Sequence, residues 1–103
     1  MARRGNKMLQ VTPAAAEAIK SQLVSMGKTL ENSLVRLYVT AGWGGPQYQL
    51  ALEESAQPDD TVINTTEGVT FVVSDRFKPY FKNIKLDYAR SFFGGRQFQF
   101  LRV

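Results

Sequence analysis

The spacing of apolar and polar positions changes period several times along the chain, and each change predicts an element. "LQV" at 9–11 reads as a short strand. Thr12-Pro13 then opens a helix, because the threonine hydroxyl can accept from an orphan N–H and proline is preorganised for the first helical position. Ala15, Ala16, Ile19, Leu23 and Met26 recur at helical spacing and mark one apolar face, with Met26 read as core filler and Gly27 as a left-handed stop. From Leu34 the period drops to two. Leu34, Arg36 and Tyr38 alternate with Val35, Leu37 and Val39, and the second, more apolar set is assigned to the interior.

Gly42, Gly44, Gly45 and Pro46 mark a tight turn, after which Tyr48, Leu50 and Leu52 alternate with Gln47, Gln49 and Ala51. The unit predicts a hairpin with a glycine-rich tip, and Trp43 stands at that tip. "ESAQPDD" is a loop by its turn residues, and Asp59-Asp60 beside Pro58 are read as turn chemistry. "TVIN" and "VTFVV", on either side of Glu67-Gly68, predict a second hairpin. "SDRFKPYF" predicts one helical turn capped by Ser74 or Asp75, with Pro79 early in it. "IKLDYA" is a strand with Ile84, Leu86 and Tyr88 on one face, and "RQFQFLRV" a last strand presenting Phe98 and Phe100. Many short strands with one good helix predict an α+β, mostly β fold. No repeat, low-complexity tract or linker interrupts residues 8–103, which read as one domain behind a basic tail at 1–7 expected to be disordered.

Composition narrows the chemistry. The 103 residues contain no cysteine and no histidine. That removes disulfides, thiolate nucleophiles, imidazole-bound zinc and the usual neutral-pH general base together. What remains for catalysis is carboxylate, lysine, tyrosine, serine and threonine, and none forms a recognisable constellation, so the chain is not expected to be an enzyme. Neighbours on a strand point to opposite faces, which makes Glu53-Glu54 poor chelating geometry. Tyr48, Tyr80 and Tyr88 are read as packed rings rather than iron ligands. No apolar run approaches the length of a membrane span, and "MARRGNKM" lacks the apolar segment of a secretory signal, so a cytoplasmic protein is expected.

The net charge of +4 is unevenly spread: +3 over residues 1–7, −5 over 8–75 and +6 over 76–103. Basic and aromatic residues interleave over 76–103, where Arg90 and Arg96 flank Phe92, Phe93, Gly94 and Gly95. Such a stretch could bind nucleic acid, together with Arg3, Arg4 and Lys7, by tracking phosphates and stacking bases. It could equally be a solvated face, or dock a protein through "SFFGGRQ".

The runs "VTPAAAEAIKSQL", "GWGGPQYQLALEE", "DDTVINTTEGVTFVVSD" and "PYFKNIKLDY" together resemble the A-type iron–sulfur carriers, the HesB/IscA-like family, over about residues 9–100. The resemblance implies a compact HesB-like β-sandwich or pseudobarrel with one N-terminal helix, dimers or tetramers, and a role in iron–sulfur cluster assembly. It also implies three cysteine ligands, one in a Cys-Ser-Gly-x-x-Tyr loop and two in a C-terminal Cys-Gly-Cys. The loop here is Trp43-Gly44-Gly45-Pro46-Gln47-Tyr48, with Trp43 where the first thiol is expected. "FQFLRV" resembles the family's last strand, and the given chain ends at Val103, before the Cys-Gly-Cys would begin.

A degenerate member is therefore expected, with no catalytic residue, no metal and no bound cofactor of its own. Its expected role is that of an accessory or interaction subunit, pairing with itself or with a cysteine-bearing relative. The contact candidates are Trp43, Tyr48, Arg90, Phe92, Phe93 and Arg96. For Trp43 two readings stay open: an exposed anchor for a partner, or an indole folded back onto its own loop.

Overall fold

The structure, a computed structural model, describes residues 9–91 and 94–103. The tail expected at 1–7 and the candidates Phe92 and Phe93 lie outside the described residues. Strand β1 (Leu9–Val11) leads into helix α1 (Pro13–Ser25), and β2 (Leu34–Gly42) with β3 (Gly45–Glu53) forms the first hairpin. Next come β4 (Asp60–Asn64), β5 (Thr70–Ser74), β6 (Ile84–Ser91) and β7 (Gly94–Arg102). They make two sheets, of order β1-β6-β7 and β3-β2-β5-β4. Within each sheet one pair is parallel, β1 with β6 and β2 with β5, and the others are antiparallel.

Each element forms where its sequence pattern changes period. Thr12 is the α1 N-cap, its hydroxyl accepting from the Ala15 N–H at 3.1 Å, and Pro13 opens the first turn. The same hydroxyl donates to the Asp87 carboxylate on β6 at 2.7 Å, which fastens the start of the helix to the sheet beside it. That bond, followed by the Tyr88 N–H, holds the Asp87 carboxyl below its ordinary value. At the other end Gly27 adopts φ +73°, the left-handed conformation that side chains disfavour.

One continuous core lies between the sheets and under α1. Val35, Leu37, Phe71 and Val73 supply it from one sheet, Ile84 and Leu86 from the other, and Ala15, Ala16, Ile19 and Leu23 from the helix. The inward set expected for β2 is confirmed by the full burial of Leu37 and near-full burial of Val35.

Two expectations fail locally. Met26 is 52 % exposed rather than core, because α1 ends at Ser25 and Met26 is its C-cap. The turn near Pro79 is a 3-10 turn at Lys78–Phe81 that follows Phe77 with no side-chain cap, so neither Ser74 nor Asp75 serves. Its function is packing: Phe81, at its end, is completely buried.

Candidate functional site

Leu37 pairs with Leu50, Val39 with Tyr48, and the β2–β3 ladder continues to Gly42 opposite Gly45. Only Trp43 and Gly44 remain for the loop. A two-residue connection reverses the chain so sharply that a positive φ is needed after Trp43, and Gly44 supplies it at +83°. With the turn closed this tightly, the indole has no neighbouring backbone on which to fold. Trp43 is 98 % exposed, so of the two readings the structure takes the uncovered one.

The other candidates are distributed differently. Tyr48, five residues from the tip, turns into the sandwich, with ring centroids 5.2 Å from both Phe81 and Phe100. Tyr88 and Phe98 stack at 4.8 Å across β6 and β7. Most of the C-terminal aromatic residues are thus engaged with the core, whereas Tyr80 stays partly exposed. Arg90 and Arg96 do come together, directly opposite each other on β6 and β7 beside a register shift at Arg90/Ser91, and both face solvent. They belong to the three-stranded sheet, and Trp43 to the four-stranded one.

A cluster not anticipated from the sequence sits at the root of the hairpin. Asp60 is the first residue of β4 rather than simply part of a turn, and its side chain is fully buried. Arg36 grips it with two parallel bonds, Nη1 to Oδ1 at 2.9 Å and Nη2 to Oδ2 at 2.6 Å. The Arg36 Nε lies 2.8 Å from Glu53 Oε2, and the Gln57 N–H donates to Asp60 Oδ2 at 2.6 Å. The bidentate bond from Arg36 is the main reason the Asp60 carboxyl is held below its ordinary value, and the Arg36 guanidinium is correspondingly held more firmly protonated. The available signal was that Arg36 is the single charged residue of an otherwise neutral β2.

This network ties β2, β3 and β4 together and occupies two carboxylates that might otherwise have been read as ligands. Among the described residues no group of three or more acidic, cysteine or histidine side chains is placed to hold a metal ion. Among them, too, no helix is long and apolar enough to cross a membrane.

The profile of a family described as iron-sulphur cluster biosynthesis matches residues 8–99. An uncharacterized protein in the nifU 5' region of Cereibacter sphaeroides is 32% identical over 88 residues, covering 84% of this chain and 80% of that protein. The putative iron-sulfur cluster insertion protein ErpA 2 of Polaromonas naphthalenivorans is 34% identical over 89 residues, covering 85% and 69%. Among solved structures, IscA with its [2Fe-2S] cluster superposes with a TM-score of 0.77 at 21% identity, over 92% of this chain and 85% of that one, a likeness of fold. A protein from Aquifex aeolicus superposes with a TM-score of 0.73 at 27% identity, over 100% and 99%.

Proposed function

This chain belongs to the iron-sulphur cluster biosynthesis family, and from that premise we propose that it is a non-catalytic accessory subunit of cluster assembly that does not itself hold the cluster. Cluster iron is held by thiolate sulfur, with imidazole in some centres. These 103 residues offer neither. The observation that carries the reading is Trp43, an almost fully exposed indole at the hairpin position where the family resemblance calls for a thiol. An indole N–H donates and has no lone pair for a metal. The remaining oxygen donors suit hard cations better than sulfide-bridged iron, and Asp60 and Glu53 are already engaged by Arg36.

What the tip offers instead is a large apolar ring with one polar edge, the kind of side chain that anchors protein interfaces. The groups with shifted titration, Arg36, Asp60 and Asp87, all belong to structural pairings, which supports a role in contact rather than catalysis. The expected partner is a cysteine-bearing relative that carries the cluster as cargo, or another copy of this chain.

The test is anaerobic incubation of the isolated chain with ferrous iron and sulfide, with and without a cysteine-bearing family member, followed by gel filtration. Labile sulfide should travel with the cysteine-bearing protein alone, and this chain should co-elute with it. Stoichiometric labile sulfide retained by the isolated chain would overturn the reading.

A second reading, nucleic-acid binding through 76–103, is favoured by one observation: Arg90 and Arg96 stand side by side in solvent with the same charge. It rests on electrostatics, because Phe81, Tyr88, Phe98 and Phe100 face the core. Binding of that kind would weaken steeply with added salt. No binding to single- or double-stranded nucleic acid at low salt would remove it.

A further inference from the structure

Three features at the β2–β3 hairpin fit one another. The first is the indole at the tip, uncovered by its own chain. The second is an apolar groove of about 570 Å³ at the other end of the same hairpin, where Leu50 and Leu52 of β3 meet Ile19, Gln22 and Met26 of the α1 face and Phe98 of β7. The third is β3 itself, the outer strand of its sheet and nine residues long, whose free edge is a template for another strand.

The tip cannot reach the groove within one molecule. Trp43 is seven to nine residues from Leu50 and Leu52 along an extended strand, roughly 24–30 Å at the usual rise. Two copies placed antiparallel along their β3 edges solve this by symmetry, because each tip then lies against the other's groove. A two-fold contact of this type presents the same surface from both sides and closes on itself.

Electrostatics permits a second copy at this place. The chain carries +4 overall, so most approaches of two copies bring like charges together. From residue 37 to residue 52, however, there is no aspartate, glutamate, lysine or arginine, and the groove lining is likewise uncharged. The groove chemistry also suits an indole. Met26 is a flexible, polarisable side chain left half in solvent, and the Gln22 amide supplies an acceptor for the indole N–H.

We propose that two copies of this chain associate through antiparallel β3 edges, with Trp43 of each seated in the Met26–Leu50–Phe98 groove of the other. The proposal rests on the interaction role given above and names a second copy as the occupant of the groove.

Trp43 is the only tryptophan in the sequence, so its emission reports the contact directly. On concentrating the full chain, native mass should move from monomer to dimer as the emission shifts to the blue and becomes harder to quench with acrylamide. Trp43→Ala and Met26→Lys, both at exposed positions, should keep the circular dichroism of the parent and weaken the dimer by about 30-fold or more, the effect of losing an aromatic anchor.

Mixing the two variants is the sharper measurement. Met26→Lys keeps its indole and has a spoiled groove, whereas Trp43→Ala is dark and has an intact groove. Emission from Met26→Lys should therefore stay red alone and turn blue when Trp43→Ala is added.

A chain that stays monomeric with a red emission at every concentration overturns the proposal. So does a dimer unaffected by either variant, or a mixture with no blue shift. Binding to the cysteine-bearing carrier is read in the separate assay above, so a monomer that still binds the carrier sinks the dimer and leaves the accessory role standing.

Discussion

The two ends of the β2–β3 hairpin are built to opposite purposes. At the root, Leu37 is wholly buried on the inner side, and Arg36 on the outer side is clamped to Asp60 and Glu53. Every side chain there is answered by another from a different strand. At the tip, the ladder runs out at Gly42 and Gly45 and leaves an indole that no described part of the chain covers. The root is explained by folding, and the tip is not. A large apolar ring kept in water where a glycine turn could have carried any small polar residue is best explained by something outside the monomer.

The comparison can be broken most severely at the root's inner side. Leu37→Ala should destabilise the chain by about 2–5 kcal/mol, the cost of a truncated, fully buried leucine, measured by denaturant unfolding. Asp60→Asn should follow, at about 2–3 kcal/mol, because it leaves part of the Arg36 guanidinium without its charged acceptor.

Acid sharpens that second case. The folded Asp60 carboxyl sits below its ordinary value, so the unfolded chain takes up the proton first. The stabilisation is complete above roughly pH 4, the ordinary aspartate value. It is lost as pH falls through the lower folded value. Asp60→Asn should therefore flatten the loss of stability in that acid window, as followed by unfolding midpoints at a series of pH values.

The smallest effect belongs to the tip. Trp43→Ala, measured at a dilution where the chain is monomeric, should change stability by no more than about 0.5 kcal/mol. A loss comparable to that of Leu37→Ala would place the indole in the fold and end the contrast between the two regions.

What could be read in the sequence was local. The Thr12 cap, the Gly27 stop, both hairpins and the inward set of β2 each depend on residues a few positions apart, so periodicity and turn chemistry reveal them. Asp60 was read as turn chemistry because its neighbours are turn residues. Its partner Arg36 lies 24 positions away and is brought to it only by strand pairing. Met26 continued the helical spacing, yet periodicity does not show that the helix stops one residue earlier. For Trp43 the sequence located the tip but left the ring's direction open. That direction depends on how tightly the loop closes, which follows from the register of the strands beneath it.

Thr12 carries a consequence for the order in which the molecule is made. Its hydroxyl has a single proton, and Asp87, 75 positions later, receives it. The strand it borders, β1, likewise finds its hydrogen-bonded neighbour only in β6. A ribosome emits the helix early and the residues that secure its leading end late. Until β6 has left the exit tunnel, the first turn of α1 can form but has nothing to be moored to, so the amino-terminal part of this chain completes its native attachments among the last.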